Sequence, residues 1–234
     1  MYRKLVFFFN IIIVLIGLSF QIKIEKKDIQ FAIQPSFNKE ALVLNKAKYI
    51  TSKNDTISIT TLKFYISNIV LEYENGTEYK EPKSVHLIDT EELNTLQFQL
   101  KKTPGLKIKK IRFRIGIDSL TNVSGDLAGD LDPSLGMYWA WNSGYINMKL
   151  EGKSSSCKTV KKEFQFHIGG YLPNQNALQE VSLRVPDNTT TLHLKMDLSK
   201  WLNEVSLKET NSIMIPGTKA IAMSQLYKNM FVIE

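Results

Sequence analysis

The sequence predicts an all-β fold, a single antiparallel β-sandwich with a long Asp/Gly-rich loop and minor helices. Three observations predict it. Apolar and polar residues alternate with period two over several short stretches, turn-forming pairs separate those stretches, and few segments have helical spacing. Many short strands with few helices bury their apolar faces most simply by packing one sheet on another.

Phe31 to Phe37 reads as the first strand. Ile57 to Ile66 alternates over much of its length, and the pattern continues through Ile69 to Tyr73. Asn75-Gly76 follows as a hairpin turn, because both residues tolerate positive φ. Ser84 to Asp89 and Leu96 to Leu100 are short strands, and Pro104-Gly105 is a turn. Lys107 to Ile117 alternates with Ile108, Ile111, Phe113, Ile115 and Ile117 apolar; the one-residue slip between Ile108 and Ile111 predicts a bulge or a late strand start. Residues 118–136 carry three glycines, four aspartates and a proline, and form a long loop of the kind that often carries function. Tyr145 to Leu150, Lys162 to Ile168, Val181 to Val185 and Thr190 to Leu198 are strands, while Leu198 to Val205 and Ile221 to Lys228 are short helices.

The N-terminus has the anatomy of a secretory signal. Met1-Tyr2-Arg3-Lys4 precedes an uncharged run from Leu5 to Phe20, shorter than the ~20 apolar residues of a membrane-spanning helix. We expect a signal peptide over 1–19, cleaved after Ser19, with a retained anchor as the alternative. A short linker over 20–27 then leads to one domain over 28–234. No cysteine follows the apolar run, which excludes a lipoprotein anchor there. The lysines are scattered and no arginine-rich stripe occurs, which reads as solvated strand faces and argues against nucleic acid as a partner. Contact with a membrane is expected only through an uncleaved N-terminal segment. Cys157 is the sole cysteine, so no internal disulfide forms; its setting, Gly152 to Lys158 with three serines, reads as an exposed turn.

Candidate chemistry rests on few residues. His86, His167 and His193 lie in strand-like segments; His167 points away from the face shared by Phe164 and Phe166, and His193 shares a face with Thr191 and Lys195 that reads as exposed. Neutral imidazole is a common metal ligand, and a partly buried residue bonded to backbone is the alternative for each. Trp139 and Trp141 are two apart, so on a strand they share a face with Met137. Such a soft face suits shielding of Cu(I), stacking on a sugar ring, or filling the core. Asp118, Asp130 and Asp132, with Asp126, offer oxygen ligands that would stabilise the loop through calcium, with Asx-turns as the alternative. No G-x-S-x-G, H-E-x-x-H or phosphate-binding glycine loop occurs, so the chain does not read as an enzyme.

The ordered set Asp118-Ser119, Asn122, Gly125, Gly129, Leu131-Asp132-Pro133, Gly136-Met137-Tyr138-Trp139, Trp141, Ser143-Gly144-Tyr145 and Lys149-Leu150-Glu151-Gly152 resembles the MbnP-like copper-binding family. Phe166-His167-Ile168-Gly169-Gly170, His86-Leu87-Ile88-Asp89 and Phe64 to Ile69 match it too, so the resemblance covers about residues 28–232. It implies an exported, β-rich periplasmic or cell-surface protein tied to methanobactin and copper homeostasis. It implies His86 and His167 as imidazole ligands of copper, with Cu(I) favoured. Some members act with a dihaem peroxidase-like partner enzyme that oxidises a tryptophan toward kynurenine, which makes Trp139 or Trp141 the residue for modification. Met137 is a soft neighbour by its spacing. The expected function is copper capture or homeostasis at a two-histidine site beside a Trp pair. The alternative is a cell-surface binding or adhesion module with a structural Trp/His core and no metal.

Overall fold

The computed structural model describes residues 25–45, 48–187, 189 and 191–234. The expected signal peptide over 1–19, its retained-anchor alternative and residues 20–24 of the expected linker lie outside the described residues. Residues 26 and 27, expected in the linker, already belong to the first strand, β1 (Lys26–Phe37).

The strands fall into two sheets. The smaller combines β1 with β2 (Glu40–Ala41), β7 (Gln97–Pro104), β13 (Thr191–Asp197) and β15 (Phe231–Ile233). The larger is built on β4 (Thr56–Tyr73), an 18-residue strand. One edge of β4 pairs with β10 (Gly144–Ser154) and then β8 (Ile108–Ile115). The other edge pairs with β3 (Tyr49–Ile50), β6 (Val85–Asp89) and β5 (Glu78–Lys80). Outward from β10 run β11 (Glu163–Gly169) and β14 (Ser212–Ile213), outward from β8 runs β12 (Gln179–Arg184), and the two-residue β9 (Tyr138–Trp139) folds back on β10. The expected sandwich is present. Its pairing is mixed, however: β1 lies parallel to β13 and β11 parallel to β14. Each parallel pair joins strands far apart in sequence, whose direction no local turn dictates.

The elements follow their sequence signals. The alternation that continues from Ile57 through Tyr73 forms one unbroken strand, β4. Gly76 alone takes positive φ in the Asn75-Gly76 turn, and the Tyr73 carbonyl accepts from its N–H at 2.9 Å. The slip between Ile108 and Ile111 is a bulge: Leu71 pairs with Ile111 and Glu72 with Lys110, but Tyr73 pairs with Ile108. The 118–136 loop holds a short helix, α1 (Ser119–Val123), and two 3-10 turns at Gly129–Leu131 and Pro133–Leu135. The expected C-terminal helices are α2 (Ser199–Leu202) and α3 (Thr218–Tyr227).

The main core lies between the sheets. The Phe231 ring from the small sheet meets Phe64 at 6.0 Å and Phe113 at 5.6 Å, both on the large sheet. Trp201 closes one side, fully buried, its indole N–H on the Met223 sulfur at 2.9 Å. Cys157, expected in an exposed turn, is fully buried in this core. The turn after β10 folds inward, its thiol packs as a small hydrophobe, and burial pushes its pKa up. His193 is exposed, as its polar neighbours indicated. Among the described residues no helix is long and apolar enough to cross a membrane.

Phe64→Ala would leave a cavity between the sheets. We expect a loss of about 3–5 kcal/mol, read as a lower urea midpoint at unchanged slope.

Candidate functional site

The large sheet is buried on both faces at its centre. Phe64 and Ile66 of β4 point into the main core, whereas Tyr65 points outward into a second cluster with Leu87, Ile117, Leu131, Met137, Trp139, Tyr145 and Ile146. The 118–141 segment is the cap that makes this second cluster. Its fastenings are local and specific. Asp118 caps α1 by accepting from the Thr121 N–H at 2.8 Å. Asn122 donates to the Ile117 carbonyl and accepts from the Tyr145 N–H, both at 2.9 Å. The buried Tyr65 hydroxyl donates to the Asp130 carbonyl at 2.9 Å, while the Tyr145 hydroxyl lies 2.9 Å from the carbonyls of Asp126 and Leu131. Burial pushes Tyr145 up to about 12 and Tyr65 higher still, so both remain neutral donors.

The loop aspartates hold this cap without converging. Asp130 accepts from the Leu87 N–H at 3.0 Å and Asp132 from the Ser134 N–H at 2.8 Å. That bond holds the Asp132 carboxyl below its usual range. Burial works to raise Asp118, but bonds from Thr121 and Asn68 and the Arg114 charge outweigh it and the carboxyl ends low. Asp118 and Asp132 therefore cap turns of the loop, and Asp130 ties it to β6. Among the described residues, no three His, Cys, Asp or Glu side chains gather as a metal-binding group.

The tryptophans are not two positions of one strand. β9 ends at Trp139, and a turn closed by the Asn142 N–H on the Trp139 carbonyl at 3.1 Å brings Trp141 back. The two rings still meet, with centroids 5.7 Å apart. Trp139 is 6% exposed and Trp141 is 64% exposed, so one indole is a wall and the other a lid open to solvent. Met137 is buried in the cluster with Trp139. The Trp139 indole lies over Gly169: a β-carbon there would come within 2.9 and 3.1 Å of its ring atoms. Gly169 and His167 are two apart on β11 and so share the outer face, about 7 Å apart along the strand.

His167 and His86 do not meet. On the large sheet, His167 pairs with Lys149, Lys149 with Lys63, and Lys63 with Asp89. His86 pairs instead with Ile66, three positions along β4 and therefore on the opposite face. Three strand spacings, about 14 Å, also separate the histidine-bearing strands. The expected two-histidine centre is thus not assembled, because alternation aims one imidazole outward and the other between the sheets.

Each imidazole has its own glutamate. His86 Nε2 lies 3.0 and 2.9 Å from the two Glu81 oxygens, and Ser84 donates to the same carboxylate at 2.6 Å. The His86 ring stacks on Phe98 at 3.7 Å, and Phe98 stacks on Phe31 at 4.8 Å, a three-ring pile joining the sheets. His167 is buried, with Nε2 2.6 Å from Glu151 Oε1. Burial drives its pKa below the usual histidine value; Glu151 opposes the shift and the Lys149 charge assists it. A neutral imidazole beside an ionised carboxylate carries its proton on Nε2, which leaves the Nδ1 lone pair for a ligand. Glu151 and Lys149 were not among the sequence candidates, although both stand in the Lys149 to Gly152 motif. Their spacing of two on β10 was the available signal, since it puts them on one face.

These features define a β-sandwich with a capped outer face and, two residues along β11 from the glycine that Trp139 covers, a buried imidazole bonded to a half-buried carboxylate. The MbnP family profile matches residues 26–215, and the chain belongs to the MbnP family. The fold is similar to that of MbnP from Methylosinus trichosporium, with a TM-score of 0.63, 12% sequence identity and 83% of each chain covered. No curated protein matches the chain.

Two outcomes are expected. Nitrogen-15 NMR should show neutral His167 protonated at Nε2; protonation at Nδ1 would overturn the assigned tautomer. His86→Ala should cost about 1–3 kcal/mol in urea unfolding, because it removes a ring from the pile and takes one of its partners from Glu81, while the His167 resonances stay in place.

Proposed function

We propose that this member of the MbnP family is an exported, non-enzymatic copper-binding protein of copper capture or homeostasis, with His167 as its imidazole ligand. One observation carries the reading: His167 is buried, neutral and held through Nε2 by Glu151, two residues along the strand from the Gly169 that Trp139 covers. Metal-ligating histidines are oriented in this way, with the second ring nitrogen donated to a carboxylate. Imidazole suits copper in kind, and the thioether of Met137, buried with Trp139 in the second cluster, is of the soft type that suits Cu(I). Copper here is cargo. The chain's own residues orient the imidazole and bury it.

The periplasm or cell surface is the location that accords with this role. A dihaem peroxidase-like enzyme is the partner that the reading accommodates, with Trp141, the exposed member of the pair, as the indole open to it. A second reading has its own observation: an indole 64% exposed on a rigid aromatic base is also a stacking platform for a carbohydrate or a partner protein. That module would bind its ligand in the presence of chelator and lose it on Trp141→Ala.

Copper titration separates the readings. Wild-type mature protein and His86→Ala should bind copper with the same stoichiometry, and His167→Ala should lose it. Undiminished copper affinity in His167→Ala would falsify the assignment.

A further inference from the structure

We propose that the outer surface of the 118–141 cap is a docking face for a partner protein that presents lysine or arginine side chains around an apolar centre. The proposal does not depend on the copper reading of His167.

Five of the twelve exposed large hydrophobic side chains among the described residues stand on this one segment: Leu120, Val123, Leu127, Leu135 and Trp141. Leu120 and Val123 are 78% and 66% exposed and lie three apart on α1, hence on one side of it. The cap's own packing does not use them: none of the five is in the second cluster that the cap covers. α1 is joined to the strand that follows the Trp141 turn, since Asn122 accepts from the Tyr145 N–H at 2.9 Å. Apolar side chains gathered outside a core in this way, with a polar surround, mark an interaction surface.

The surround has one sign. Residues 118–141 carry four aspartates and no lysine, arginine or histidine, in a chain of formal net charge +7. Leu120 helps to line a groove of about 590 Å³ between the cap and the 81–85 turn, whose charged lining is Glu81, Asp118, Asp126 and Asp130 against one ammonium, Lys83. Two further cations reach the cap: Arg114, 3.6 Å from Asp118, and Lys149, which donates to the Gly136 carbonyl at 3.4 Å.

Charge complementarity selects the occupant. An anionic lipid surface would be repelled. A second copy docked cap to cap about a two-fold axis would set the aspartates against their own equivalents, and a copy docked by a different face leaves a cap uncovered at the end of every open chain. A basic partner meets neither obstacle: its cations take the aspartate rim, and its apolar side chains cover Leu120, Val123 and Trp141.

The test is nitrogen-15 NMR of the mature protein titrated with three probes: a synthetic amphipathic helical peptide of leucine and lysine, the same peptide with glutamate in place of lysine, and phosphatidylglycerol vesicles. The lysine peptide should shift amides of residues 119–141, with affinity about tenfold lower at high salt; the glutamate peptide and the vesicles should not shift them. Leu120→Ser combined with Val123→Ser should weaken the lysine peptide about tenfold and Asp126→Asn about threefold, both at the wild-type urea midpoint because these side chains are exposed. No shift from the lysine peptide, shifts centred outside the cap, equal shifts from the two peptides, or undiminished affinity in the double variant overturns the proposal. So does binding of the vesicles through the cap, or a dimer in sedimentation that the double variant dissolves, since the occupant would then be a membrane or a second copy. Copper enters none of these measurements, so the copper reading stands or falls separately.

Discussion

Strand β4 is buried on both faces from Phe64 to Ser67, and the rest of the molecule is arranged around that constraint. A strand in the middle of a two-layer sandwich ordinarily gives one face to the core and one to water. Here the outer face also needs a cover, and the 118–141 segment supplies it. That segment could not serve as a cover without satisfying its own backbone, which explains the density of Asp, Asn and Gly in it. Its carboxylates and amides meet N–H and C=O groups of a chain path that no sheet supports. Tyr65 joins the two requirements: its ring fills the second cluster and its hydroxyl closes on the Asp130 carbonyl.

The same alternation decides the chemistry. Two histidines on one sheet are separated as effectively by parity as by distance, and each becomes the centre of a different arrangement. His86 lies in an aromatic pile between layers, where a planar ring with a charged partner at its edge joins two sheets. His167 lies on the covered outer face, where burial disfavours its charged form and Glu151 holds its tautomer. The polar row across that face contains two lysines side by side, an arrangement that costs stability unless each finds an anion. Lys63 finds a close one and Lys149 a distant one, and this inequality makes the region of His167 electrostatically distinctive.

Much of the fold was legible because period-two alternation is a local property. Strand positions, the bulge after Ile108 and the capped loop could all be read from a few neighbouring residues. Sheet pairing could not be, since β1 and β13 are parallel partners about 160 residues apart. The face of His167 was legible, because Phe164 and Phe166 marked the opposite side as apolar. That of His86 was not: Val85 and Leu87 on one side and Ile88 on the other are all apolar, and a strand buried on both faces gives parity nothing to distinguish. Trp139 and Trp141 came together as their spacing suggested, but through a turn rather than a pleat, which is why one is covered and the other exposed. Cys157 misled because serines mark a turn without saying whether it folds outward or onto the core.

The indole of Trp139 occupies the place where residue 169 would carry its β-carbon. Positions 139 and 169 therefore share one fixed volume, although 30 residues of chain and a sheet edge separate them. A methyl group at 169 would press on that indole and also, at 2.6 Å, on the backbone carbonyl of Tyr145, so a smaller residue at 139 would not by itself make room for it. The bare backbone at 169 is what lets an aromatic ring roof the strand that bears His167.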